Sequence, residues 1–280
     1  MKLLRHGPRG AEKPGLLHTD GTIRDLTGLV PDIGGAVISD TGLTMLRAVD
    51  PGALPLVDAG TRLGACVAGT GKFICIGLNY ADHAAESGMA VPPEPVIFLK
   101  ATSAICGPND PIIIPRTSVK TDWEVELAVI IGKTAKYVSE TDAMDHVAGF
   151  AVSHDVSERA FQTERSGQWT KGKSCDNFGQ IGPWLVTRDE VADPQNLPMW
   201  LTLNGQVMQN GSTKTMVYGV KFLVSYLSQF MSLHPGDVIS TGTPPGVGMG
   251  MKPPRFLKAG EVVELGIEGL GRQRQHVIAD

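Results

Sequence analysis

The segment that most constrains the fold is residues 123–131, where apolar side chains alternate with Glu124 and Glu126 before the chain becomes wholly apolar. A period of two is the pattern of a β-strand, and it places both glutamates on one face. The apolar continuation indicates a central strand, where paired carboxylates are costly unless a cation neutralises them. Such oxygen ligands suit Mg²⁺ or Mn²⁺. Taken alone, the pair could equally lie on a solvated strand face.

A third oxygen ligand is expected from Asp155, which ends the apolar run VAGFAVSHD. A carboxylate at this position would project from the end of a sheet into a cleft. The alternative is that Asp155 caps the N-terminus of a helix that follows it. His154 should point to the opposite face if the strand is regular, so we do not expect it to bind the metal.

A histidine and a glutamate in the segment GLNYADHAAESG form the candidate general base. His83 and Glu86 are three residues apart, which makes them neighbours on one face of a helix predicted over residues 79–87. A histidine oriented by a carboxylate takes a proton from water near neutral pH. A surface salt bridge is the alternative for this pair.

Three further polar residues are candidates for binding a substrate acid. Lys100 follows the apolar run PVIFL, Lys173 lies in the polar loop TKGKSCDNFG, and Thr243 lies in the Gly/Pro-rich loop TGTPPGVGMG. A lysine at either position could bind a carboxylate or stabilise an enolate, unless it is only a solvated cation. The loop around Thr243 lacks the nucleotide-binding P-loop pattern, although its N–H groups could hold a carboxylate.

The pattern of apolar runs predicts a strand-dominated α+β protein of two domains. Residues 1–65 read as a small N-terminal domain of short strands with a helix over residues 41–49, and residues 66–280 as the larger domain, which contains all the candidate site residues. A further helix is expected where six apolar side chains recur at helical spacing: Val220, Leu223, Val224, Leu227, Phe230 and Met231.

Composition excludes several classes of function. The net charge of −4 and the isoelectric point near 6.0 argue against a nucleic-acid-binding surface. No apolar run reaches the roughly 20 residues that cross a bilayer, and no secretory signal is recognisable, so a cytoplasmic protein is expected. The four cysteines are widely spaced, which favours free thiols over a disulfide framework or a zinc site.

Six ordered segments resemble the fumarylacetoacetate hydrolase family, over about residues 72–279: IGLNYADHAAE, PVIFLK, DWEVELAVIIG, VSHDVSERAFQ, KGKSCDNFGQIGPW and GDVISTGTPPGVG. The resemblance implies a mixed β-sandwich or β-roll, a homodimer, and Mg²⁺ or Mn²⁺ held by Glu124, Glu126 and Asp155. It further implies a catalytic pair His83 and Glu86, substrate-binding lysines Lys100 and Lys173, and carboxylate binding by Thr243. Relatives often have Asn where this chain has His154, and Asp where it has Ala160.

The first 26 residues are similar to the subgroup that acts on 2,4-diketo-3-deoxy sugar acids. That likeness implies hydrolysis of 2,4-diketo-3-deoxy-L-rhamnonate or -fuconate to pyruvate and lactate, by attack of water at C4 and release of pyruvate as its enolate. Ureidoglycolate lyase is the main alternative, and an acylpyruvase, an oxaloacetate decarboxylase or an isomerase of the same family also stays open. The non-enzymatic alternative is a binding or scaffold protein that retains the fold.

Overall fold

The computed structural model describes residues 1–82 and 91–280. Within these ranges the strands are β1 Lys2–His6, β2 Lys13–Leu17, β3 Ile23–Asp25, β4 Phe73–Gly77, β5 Val96–Lys100, β6 Ile105–Cys106, β7 Ile112–Ile114, β8 Thr121–Asp122, β9 Val125–Ile131, β10 Val147–Asp155, β11 Ser157–Glu158, β12 Gly179–Thr187, β13 Pro198–Leu203, β14 Gln206–Ser212, β15 Val238–Ser240, β16 Val262–Ile267 and β17 Gly271–Ala279. The α-helices are α1 Asp40–Arg47, α2 Arg159–Thr163, α3 Thr170–Lys173 and α4 Val220–Phe230. This confirms the strand-dominated α+β class.

Two large sheets organise the molecule. A ten-stranded sheet has the order β3-β2-β1-β12-β10-β9-β15-β4-β5, with β6 paired to β12 outside this path. A five-stranded sheet has the order β14-β13-β16-β17-β7, and β8 pairs with β11 in a small ribbon. Most pairs are antiparallel, while β4 with β15, β6 with β12 and β7 with β17 are parallel.

Strand β9 is central, as its sequence predicts. It lies between β10 and β15, and all seven of its residues are buried. Leu127 and Val129 belong to one apolar cluster, which also contains residues of the five-stranded sheet. Ala128 and Ile130 belong to a second cluster, formed with residues of the N-terminal region. A strand that is apolar on both faces is thus covered on both sides.

The N-terminal strands extend the same large sheet. Strand β1 pairs antiparallel with β12, with Lys2 opposite Val186 and Leu3 opposite Leu185. The short strands expected in this region are present as β1, β2 and β3. The predicted helix is α1, which begins one residue and ends two residues earlier than expected. The domain boundary at residue 65 stays a prediction.

Helix α4 confirms the amphipathic stripe with one correction. Its buried side chains include Val220, Leu223, Val224 and Leu227. Phe230 was expected on the buried face but is 59% exposed. Its ring instead meets the Tyr226 ring edge to face, with centroids 4.9 Å apart, so helical periodicity alone misassigns Phe230.

The cysteines are free thiols, as their wide spacing predicts. Cys66, Cys75 and Cys106 are buried free thiols, and Cys175 is a half-buried one. Burial raises the pKa of Cys66 to about 12, so that thiol is unreactive at neutral pH. In the part of the chain that the structure describes, no helix combines the length and apolar character needed to span a bilayer.

Candidate metal centre and active site

Three carboxylates meet where β9 and β10 run side by side. Glu126 lies on β9 and Glu124 immediately precedes it, while Asp155 ends β10. The Asp155 N–H donates to the Glu124 carbonyl at 3.0 Å, which joins the two strand ends. One carboxylate oxygen from each of Glu124, Glu126 and Asp155 lies within 4.8 Å of the others, and all three residues are buried. The three side chains therefore lie together, as the sequence predicts.

Glu124 is held by two cations. The Lys173 Nζ donates to its Oε2 at 2.6 Å, and the Arg159 Nη2 donates to its Oε1 at 2.7 Å. Burial alone would raise the pKa of Glu124, but Lys173 and Arg159 outweigh it and hold that pKa well below its usual range. Glu124 is therefore an ionised carboxylate at neutral pH.

Glu126 is in the opposite electrostatic situation. Its Oε2 accepts from the Ser240 Oγ at 2.6 Å and from the Gly242 N–H at 3.0 Å. Burial, followed by the charges of Asp155 and Glu124, raises the pKa of Glu126 well above its usual value. A bound cation would remove this cost by favouring the ionised form.

Asp155 is fixed by two lysines from different elements. The Lys173 Nζ donates to its Oδ2 at 2.8 Å, and Lys100 at the end of β5 donates to its Oδ1. The helix-cap alternative for Asp155 is wrong, because the N-cap of α2 is Glu158, whose side chain accepts from the Ala160 N–H. The next acidic residue along the chain, and not Asp155, occupies the N-cap position.

These charges fit a divalent cation. The cluster has four buried carboxylates and three buried cations, namely Asp122, Glu124, Glu126, Asp155, Lys100, Arg159 and Lys173. Fully ionised, it would hold one net negative charge away from water, which is costly. Three carboxylates are the donor set that Mg²⁺ or Mn²⁺ prefers.

A cavity of about 270 Å³ opens beside the carboxylates. Its lining includes Glu124, Glu126, Lys173, Thr243, Phe98 and Trp169. The Thr243 Oγ1 donates to the Val125 carbonyl at 2.9 Å and accepts from the Gln209 Nε2 at 2.8 Å. The Thr243 hydroxyl lies at the cavity as predicted, but it is already hydrogen-bonded within the protein.

The remaining predicted site residues differ in where they lie. Lys173 lies at the cavity between Glu124 and Asp155, a suitable position for stabilising a substrate anion. Lys100 is fully buried and donates to Asp155 and, at 3.0 Å, to the Val156 carbonyl, so its position favours orienting Asp155. His83 and Glu86 lie outside the described residues, and their catalytic role stays a prediction.

Two important residues of the site have no simple signal in the sequence. Arg159 bridges Asp122 and Glu124, with its Nε 2.8 Å from the Asp122 Oδ2. Burial would lower the pKa of Arg159, but Glu124 and Asp122 raise it, so the guanidinium stays charged. Ser240 ends β15 beside β9 and reaches Glu126. The only sequence signal for either residue is its place within segments already singled out.

His154 occupies the other side of the sheet from Asp155, as the strand alternation predicts. It is fully buried, and its Nδ1 lies 3.1 Å from the Gln275 Oε1. Burial lowers the pKa of His154 to about 3, so the ring is neutral. It is a polar core residue behind the metal site.

Comparison with known proteins agrees with this geometry. Residues 72–278 match the family model described as fumarylacetoacetate hydrolase C-terminal. A Burkholderia lata protein named "Putative hydrolase" is 66% identical over 99% of this chain and 98% of its own length.

Two solved structures are similar over the whole chain. Fumarylacetoacetate hydrolase from Exiguobacterium antarcticum is 36% identical with a TM-score of 0.84, covering 100% of both chains. Maleylpyruvate hydrolase from Sphingobium sp. SYK-6, in complex with manganese(II) and pyruvate, is 29% identical with a TM-score of 0.82, covering 100% of this chain and 99% of that one. The chain therefore belongs to the fumarylacetoacetate hydrolase family.

Proposed function

We propose that this protein is a divalent-metal-dependent hydrolase that cleaves the C3–C4 bond of a 2,4-diketo acid to pyruvate and a second small acid. The observation that carries the proposal is the convergence of Glu124, Glu126 and Asp155 beside the Lys173 ammonium at one cavity. Three carboxylates suit Mg²⁺ or Mn²⁺. The manganese and pyruvate in the Sphingobium structure support the same metal and product class.

Each residue of the site has a distinct role in this reaction. Water adds to C4, the C3–C4 bond breaks, and its electron pair stays on C3 as the enolate of pyruvate, which is then protonated. A divalent ion held by the three carboxylates would supply positive charge at the 2-oxo acid. The Lys173 ammonium donates hydrogen bonds to the developing anion. His83, oriented by Glu86, takes the proton of the attacking water, a role that rests on the sequence.

The finer proposal concerns the substrate. The likeness of the N-terminal segment to the sugar-acid subgroup favours 2,4-diketo-3-deoxy-L-rhamnonate or -fuconate, with lactate as the second product. A homodimer is proposed on the resemblance of residues 72–279 to the fumarylacetoacetate hydrolase family, and the mass of the protein in solution tests it.

Pyruvate release from a panel of substrates tests the reaction. The panel contains simple acylpyruvates, sugar-derived 2,4-diketo acids, oxaloacetate and ureidoglycolate, each assayed with Mg²⁺, with Mn²⁺ and with a chelator. We expect metal-dependent pyruvate release from the diketo acids and its loss in Glu126→Gln. Pyruvate from oxaloacetate alone would indicate a decarboxylase, and glyoxylate from ureidoglycolate would indicate the lyase. Full turnover by His83→Ala would refute the assignment of the base.

A further inference from the structure

We propose that the site selects 2-oxo acids whose tail, the part beyond the reacting carbons, is short and uncharged, and that it discriminates against a second carboxylate there. The inference deepens the proposed function, on which it rests, because it specifies the tail of the same substrate. It follows from the charge balance of the buried cluster and from the side chains that form the cavity wall.

The charge balance leaves no cation for a second carboxylate. The four carboxylates and three cations named above carry one net negative charge. A divalent ion changes this to one net positive charge, and the carboxylate of a 2-oxo acid then neutralises it. A carboxylate at the far end of the substrate would enter a partly dehydrated cavity without a compensating charge, which is unfavourable.

The cations that line the described part of the cavity are already engaged. Arg159 donates from Nε to Asp122, from Nη2 to Glu124, and from Nη1 to the Gln162 Oε1 at 3.1 Å. Lys173 bridges Glu124 and Asp155. Turning either cation toward a distant substrate carboxylate would break a buried ion pair.

The part of the cavity wall next to these charges is formed by aromatic side chains. The rings of Phe98 and Trp169 meet edge to face with centroids 5.3 Å apart. A Cβ on Gly77 would lie 2.6 Å from the Trp169 Cζ3, so a glycine is needed for the indole to sit there. The Lys173 Nζ is 4.9 Å from the centre of the Phe98 ring, so the apolar wall begins beside the polar end of the cavity.

Leu78 and Met249 extend the apolar lining, and Met249 is 39% exposed at the cavity. The volume of about 270 Å³ is small for a ligand site, where about 300–1,000 Å³ is usual. A substrate tail leaving the charged end therefore meets aromatic and aliphatic groups within a short distance. Such a wall binds an uncharged tail, and the other polar side chains that line the cavity, Gln162, Thr163 and Thr243, are neutral and cannot balance the charge of a second carboxylate.

A matched pair of uncleaved ligands tests the inference through binding. 2-Oxohexanoate and 2-oxoadipate have the same chain length and differ in a terminal methyl or carboxylate, and pyruvate is the ligand without a tail. With Mg²⁺ present, calorimetry should give a Kd for 2-oxohexanoate lower than that for 2-oxoadipate by on the order of 10-fold or more. Equal Kd values, or tighter binding of 2-oxoadipate, would overturn the inference.

A variant that adds the missing charge makes the test specific. Met249→Lys should lower the Kd for 2-oxoadipate relative to that for 2-oxohexanoate, whereas Met249→Gln, similar in size and uncharged, should not. An unchanged ratio in Met249→Lys would count against the charge-balance argument. If no 2-oxo acid, including pyruvate, binds to the Mg²⁺-loaded protein, the proposed function fails as well, and this outcome is distinct from equal binding.

Discussion

Replacing Lys173 by Met should destabilise the metal-free protein and enlarge its response to metal. The Lys173 side chain is 2% exposed, and its Nζ lies 2.6 Å from the Glu124 Oε2 and 2.8 Å from the Asp155 Oδ2. Methionine fills a similar volume without the charge. Removing one partner of a buried ion pair costs about 3–5 kcal/mol, because the other charge stays buried.

The lower part of that range applies here. Glu124 keeps Arg159 and Asp155 keeps Lys100, so neither carboxylate is left without a cation. A loss of about 3 kcal/mol corresponds to a decrease in Tm of roughly 5–10 °C for a chain of this size. The two carboxylates then repel more strongly, so a divalent cation should stabilise the variant by more degrees than it stabilises the wild type.

Thermal unfolding with a chelator and with Mg²⁺ measures both effects. Lys171→Met is the matched control, since Lys171 lies on the same helix but is exposed and donates to the Arg165 carbonyl. The reasoning is refuted if Lys173→Met and Lys171→Met unfold at the same temperature in chelator. It is also refuted if Mg²⁺ raises the Tm of Lys173→Met no more than that of the wild type.

Two further predictions concern the surroundings of the carboxylates. Burial lowers the pKa of His154 from 6.5 to about 3, so the stability it contributes is present above pH 6.5 and is lost as pH falls below it. In denaturant titrations, His154→Asn should reduce the slope of unfolding free energy against pH by about 1 kcal/mol per pH unit. The exposed His276→Asn should leave that slope unchanged. Ser240→Ala removes the 2.6 Å hydrogen bond to Glu126 and should raise the Kd for Mg²⁺ about 10-fold in calorimetry, and the buried but distant Ser228→Ala should leave it unchanged.

Local periodicity was enough to predict that Glu124, Glu126 and Asp155 cluster. The alternation around Glu124 and Glu126 fixes their common face, and the apolar residues that follow fix the central position of β9. Asp155 was found because an apolar run ends in a carboxylate, and β10 does end there. Each of these patterns spans fewer than ten residues. Strand alternation alone decides which face of the sheet each side chain occupies, whatever the rest of the fold.

The partners of the carboxylates could not be found in this way. Lys100 was predicted to bind substrate, yet it lies against Asp155 at the end of β10, although β9, β15 and β4 separate β5 from β10 in the sheet. The pairing of β1 with β12 joins residues more than 180 positions apart and places the N-terminal strands in the main sheet. Such long-range pairings depend on the complete topology, and no local pattern encodes them.

The buried carboxylate of Glu126 should promote metal binding. Without metal, the same carboxylate should lower the free energy of unfolding. No lysine or arginine of the described residues forms an ion pair with Glu126, and burial together with Asp155 and Glu124 raises its pKa. For an acid whose folded-state pKa is raised, stability falls as pH rises from about 4.5 toward that pKa.

Glu126→Gln should remove this penalty. The metal-free variant should be at least as stable as the wild type near neutral pH and should lose the decline with rising pH. The same variant should lose the increase in Tm that Mg²⁺ gives, because one of three anionic ligands is gone, and the exposed Glu140→Gln should keep it. If Glu126→Gln is instead less stable without metal and still responds fully to Mg²⁺, then the buried charge is compensated in some other way, and Glu126 is not a metal ligand.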